Sequence, residues 1–184
     1  MKIAVVIGHS EKSQGAINKR YDVSEFQFFE TLAQKIKSNF SDFNMVDEIV
    51  LVYRENGYAK LPSEINSLNV DLVVSLHANA FNTTTDGCEM LYYHKSESGK
   101  EIATIFQKKI LKLLANTDRG IKPKTSEDRG GYLLKETNAP CIICEPFFID
   151  NDADFGFAQM MLEKGEMTTA YCEAIDEAVQ YLRA

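Results

Sequence analysis

Residues 70–80 read Val70-Asp71-Leu72-Val73-Val74-Ser75-Leu76-His77-Ala78-Asn79-Ala80. Up to Leu76 the run is rich in β-branched and apolar residues on both alternating faces. A strand of that kind must be covered on both sides, as in a parallel sheet flanked by helices. The apolar run then stops, and a histidine and an asparagine follow at once.

Working outward, comparable runs occupy residues 3–7, 46–52, 88–93 and 141–148. Helical patterns alternate with them. Ser24 is a candidate N-cap for a helix over 25–39, with Phe28, Phe29, Leu32, Ala33 and Ile36 as its apolar stripe. Pro62 suits the first turn of a short helix over 62–68. Residues 97–114 place Ile102, Ile105, Phe106, Ile110 and Leu113 at helical spacing. Residues 155–182 read as helix with a break near Gly165. This alternation predicts an α/β fold: a mostly parallel twisted sheet with helices on both faces. No linker or composition shift divides the chain, so residues 1–184 are expected to form one layered domain.

Charge narrows the function. The formal net charge is −7, which argues against a nucleic-acid or anionic-lipid partner, since both require clustered Lys and Arg. No apolar run reaches the roughly 18 residues of a membrane span. The first residues, Met1 to His9, read as a buried strand and not as a secretory signal peptide. The expectation is synthesis in the cytoplasm without a Sec signal. Of the four cysteines, Cys141 and Cys144 form a CxxC pair. On a strand, residues i and i+3 face opposite sides, so these thiols are expected to be buried singly.

In open α/β sheets, ligands bind beyond the carboxyl ends of the strands. Those ends carry Gly8-His9-Ser10, then His77-Ala78-Asn79, and Glu145 near the end of the last long strand. A hydrolytic zinc site needs three protein ligands and an open position. His9 and His77 are two candidates. Glu25, opening the helix after the first strand's loop, is the third. Each also has a plainer reading: a hydrogen-bonded structural histidine, or a helix N-terminal acid favoured by the dipole. Glu145 stands in Cys-Ile-Ile-Cys-Glu-Pro-Phe-Phe-Ile, where a charge has to be paired or functional.

Four segments resemble the zinc-dependent N-acetylmuramoyl-L-alanine amidases of the cell-wall hydrolase type. Ile7-Gly8-His9 with Gln14-Gly15-Ala16 is similar to the family's first-ligand loop. Ser24-Glu25 with Ala33 and Ile36 is similar to its second-ligand helix. Ser75-Leu76-His77-Ala78-Asn79-Ala80 matches the third-ligand motif nearly letter for letter. Residues 140–151 resemble the segment bearing the catalytic glutamate and closing on Asn151. The resemblance implies Zn2+ on His9, Glu25 and His77, with Glu145 as catalytic base. It implies peptidoglycan or muropeptides as substrate, cleaved between muramic acid and L-alanine. It further implies action on the cell wall. The lack of a readable signal peptide or wall-binding segment suits a lysin released late or exported another way, and a monomer is the expected state.

Two departures stand out. Val6-Ile7 precede Gly8-His9 where the family has Asp-Pro, and Pro146-Phe147 follow Glu145 where it has a small residue and Gly. Asn79 is a candidate to orient a ligand or touch substrate. Arg129, in a glycine-bearing loop, is a candidate for binding a stem-peptide carboxylate. His94 matches no family ligand and is expected to be exposed. Two other readings are a zinc peptidase cutting within the stem peptide and a metal-free α/β binding module.

Overall fold

A computed structural model describes residues 1–40 and 45–184. Strand β1 (Lys2–Ile7) is followed by a two-residue hairpin, β2 (Ile17–Asn18) and β3 (Val23–Ser24). Helix α1 (Glu25–Ser38), strand β4 (Glu48–Val52) and helix α2 (Leu61–Ser67) come next. Then come β5 (Leu72–Leu76), β6 (Cys88–Tyr93), α3 (Glu97–Leu114) and β7 (Asp118–Lys124). The chain continues through α4 (Gly131–Glu136), β8 (Cys141–Glu145), α5 (Asp152–Glu163) and α6 (Glu166–Arg183).

Six strands form one sheet in the order β4-β1-β5-β8-β6-β7. Pairing is parallel except between β6 and β8. Four strands therefore aim their carboxyl ends at one rim. The pair β6–β7 runs the other way, so the start of β6 meets the end of β8.

Helices cover both faces, as the two-sided apolar strands require. The larger core joins Ile3, Val5, Val74 and Cys144 to α1, α3, α5 and α6. Ala4, Val6, Val73, Cys141 and Ile143 face Leu61 and Ile65 of α2 and Leu133 and Leu134 of α4. Cys141 and Cys144 thus point into opposite layers, and all four thiols are free and buried. Burial pushes the Cys141 thiol up to about 12, which removes the thiolate that redox chemistry needs.

Helix α1 starts on a capping box: Ser24 accepts from the Gln27 amide while the Gln27 side chain accepts from Ser24 N–H. Its buried Phe28, Phe29, Leu32 and Ile36 each contribute about 1.5–3 kcal/mol of burial. Phe147, just beyond β8, stacks on Phe29 at 5.8 Å and meets Phe28 edge-on at 4.9 Å. Pro146 ends β8 earlier than the expected run to 148, and Phe147 anchors the segment between β8 and α5.

The chain ends meet away from the carboxyl rim. The Met1 ammonium donates to Met45 O, as does Arg183. Among the described residues, no helix is long and apolar enough to cross a membrane.

Candidate metal centre

His9 and His77 follow β1 and β5, which are hydrogen-bonded neighbours, so their rings end up side by side, 5.3 Å apart. Glu25 reaches them because the hairpin β2–β3 returns the chain to the rim. Its N–H donates to Ala16 O, and Phe26 N–H donates to Gln14 O. Asn18 pins the hairpin to the segment after β8 by donating to Ile149 O and Asp152.

The three side chains converge. One ligand atom from each of His9, Glu25 and His77 lies within 4.8 Å of the others. His77 Nδ1 is 2.9 Å from Glu25 Oε1, which also accepts from Ala78 N–H at 3.0 Å. His9 Nε2 is 3.1 Å from Glu25 Oε2, yet it is buried and makes no hydrogen bond. These two atoms are close without pointing at one another, as ligands aimed at a common ion would be. A buried ring nitrogen without a partner is otherwise costly. His9 also holds φ at 67°, a left-handed conformation that costs a non-glycine residue about 1–3 kcal/mol and that clusters at functional sites. Two imidazoles and one carboxylate, with room left for a fourth ligand, suit a divalent transition metal. Burial works to raise the Glu25 carboxyl, but the hydrogen bond with His77 and the charges of His77 and His9 override it and hold the group far below the usual range. Glu25 is thus an anion here, as a ligand must be.

Glu145 ends β8 on the same rim, 8% exposed. Burial, then the charge of Glu89 beside it, pushes its carboxyl up to about 7, against a pull from Arg129. Asn79 lies alongside because β5 and β8 continue to pair past their ends: Asn79 N–H donates to Phe147 O, and Ile149 N–H to Asn79 O. Its amide donates to Glu145 at 2.9 Å and to Glu89 at 3.1 Å.

A cleft of 340 Å³ opens from His9, His77 and Glu145. Arg54, Tyr58, Arg129 and Tyr132 line its mouth. Arg129 is exposed there, from the loop that precedes α4. His94 is also exposed, its ring 4.9 Å from that of Tyr93. The reading of the sequence overlooked Glu89 and Arg119. Glu89 is a charge in the otherwise apolar run 88–93, the same signal that singled out Glu145.

Fold and cluster together define a candidate metal centre at the carboxyl rim of a helix-covered α/β sheet. Residues 3–177 match the family model described as N-acetylmuramoyl-L-alanine amidase, and the chain belongs to that family. It is 25% identical over 183 residues to the N-acetylmuramoyl-L-alanine amidase LytC of Bacillus subtilis, covering 96% of this chain and 34% of LytC. It is 35% identical over 92 residues to an uncharacterized cell wall amidase of Bacillus anthracis, covering 46% of this chain and 16% of that protein. The chain thus spans at most about a third of these two relatives. Its fold is similar to a crystal structure of an N-acetylmuramoyl-L-alanine amidase from Clostridium difficile 630, with a TM-score of 0.79 at 22% identity, over 98% of this chain and 95% of that one.

Proposed function

We propose that this chain is a zinc amidase that hydrolyses the amide between the lactyl group of muramic acid and the L-alanine of the peptidoglycan stem peptide. The observation that carries the reading is the convergence of His9, Glu25 and His77, with His9 Nε2 unbonded, at a cleft that also holds the buried acid Glu145. Family membership supports the same assignment.

In this reading His9, Glu25 and His77 hold Zn2+. When bound, zinc supplies Lewis-acid polarisation of the amide carbonyl and of the attacking water. Glu145 takes the proton of that water and returns it to the departing amine. A carboxyl with proton affinity near neutrality suits both transfers. Asn79 holds the Glu145 carboxylate in place by its 2.9 Å hydrogen bond. Arg129, at the mouth of the cleft, is positioned to attract a stem-peptide carboxylate. The cell wall is the place of action.

The test is a digest of purified peptidoglycan with and without a chelator, read by mass spectrometry. Chelator-sensitive release of new L-alanine amino termini is the expected result. New amines within the stem would replace the reading with a zinc peptidase. A gently purified protein lacking zinc and turnover would leave a binding module.

A further inference from the structure

Glu89 and Glu145 are direct partners across the antiparallel pair β6–β8. Like charges placed opposite each other in a sheet destabilise it, and here both carboxyls are only 8% exposed. Such a pair persists only if something fixed offsets the repulsion. Two groups do so. The Asn79 amide spends one hydrogen on each carboxylate, and Arg119 Nε donates to Glu89 Oε2 at 2.7 Å.

Arg119 reaches Glu89 because β7 carries an irregularity at that point. Cys88 pairs with Asp118 and Glu89 with Gly120, so Arg119 is an extra residue, bulged out of the ladder. Gly120 at φ 74° accommodates it. A bulge re-aims a side chain, and bulges gather beside active sites. The Arg119 guanidinium also lies over the Phe148 ring, 5.0 Å from its centre, so the cation is held from two sides.

We propose that Glu89 is a positioning residue for catalysis: anchored by Arg119, it orients the Asn79 amide and, through it, the carboxyl of Glu145. The proposal rests on the reading of Glu145 as the proton-transferring base. A purely structural role fits poorly. Two facing acids that need a guanidinium and an amide to offset them are a costly way to join two strands, and an apolar pair of similar size would hold them at lower cost. The arrangement instead fixes one carboxyl between a guanidinium and an amide and holds the other, through the same amide, at the cleft lined by His9 and His77.

The test compares the zinc-loaded parent, Glu89→Gln, Arg119→Gln and Glu145→Gln on a soluble muramoyl peptide across pH 5–9. Zinc content, circular dichroism and thermal midpoint are recorded for each. Glu89→Gln should move the acid limb of kcat downward by about one pH unit and lower kcat about tenfold, with KM within about twofold. Arg119→Gln should move the limb the other way, which keeps the proposal open to refutation if Glu89→Gln fails to fold. Glu89→Asp should restore part of the shift.

In metal-free protein, the infrared carboxylic-acid band removed by Glu145→Gln should titrate at lower pH in Glu89→Gln. An unmoved limb and an unmoved band, in folded variants, overturn the role of Glu89 alone. Full turnover by Glu145→Gln would instead overturn the reading of Glu145.

Discussion

Gly15 stands so close to Glu25 that a Cβ on it would lie 2.7 Å from the carboxylate Oε2 and 2.7 Å from the His9 ring. Its φ of 78° adds a conformation that other residues resist. Gly15→Ala should displace both side chains and weaken metal binding about 10- to 100-fold. Chelator competition with the purified protein reads this directly, and parental affinity would contradict the packing argument.

His77→Ala and Glu145→Gln should separate two functions of one rim. The first removes a ligand candidate and should lower the metal content of the purified protein. The second should retain metal and lose about 100- to 10,000-fold in turnover. Metal analysis and a peptidoglycan clearing assay on both variants give the comparison.

The high proton affinity of Glu145 has a cost in stability. Its carboxyl is raised from 4.5 to about 7, so between those values the folded protein binds more protons than the unfolded chain. Without metal, that group's contribution falls as pH rises through this window, by up to ~3 kcal/mol. Glu89 and Glu25 are lowered and act in the other window: their contributions are lost as pH falls below about 4.5. Metal-free Glu145→Gln should therefore resist urea better than the parent at pH 8 and show little gain at pH 5. Urea midpoints at the two pH values decide it.

Asp154 should be the most costly surface-distant acid to remove. It is buried, accepts from Gly87 N–H and Phe148 N–H, and also accepts from Asn116. It thereby ties the approach to β6 to the segment after β8, on which Glu89 and Glu145 depend. Asp154→Ala strands three donors and should cost about 3–5 kcal/mol. A denaturant midpoint within error of the parent would show that the tie is not needed.

The sheet's centre was readable in the sequence for physical reasons, whereas the grouping of His9, Glu25 and His77 was legible mainly through the resemblance, because no compact ligand motif joins residues so far apart along the chain. Residues 72–74 and 141–144 are buried on both faces and are apolar up to Ser75 and Glu145 near the rim. Ser24 and Gln27 announce the start of α1 by local hydrogen bonding. Strand β7 was not readable. At the sheet edge it needs no apolar face, and Arg119, Gly120 and Pro123 mask its extended form. The reversal of β6 was equally hidden, because direction is a property of pairing and leaves no trace in composition. With it went the encounter of Glu89 with Glu145, two residues 56 apart on strands whose pairing only the fold reveals.

The shared hold of Met1 and Arg183 on Met45 has a separate consequence. Strand β1 carries the chain about 20 Å from Met1 toward the cleft. Met1 and Arg183 thus form a clasp between the first strand and the last helix, far from the chemistry. Loosening that clasp would slacken the frame and leave the cleft's own bonds in place.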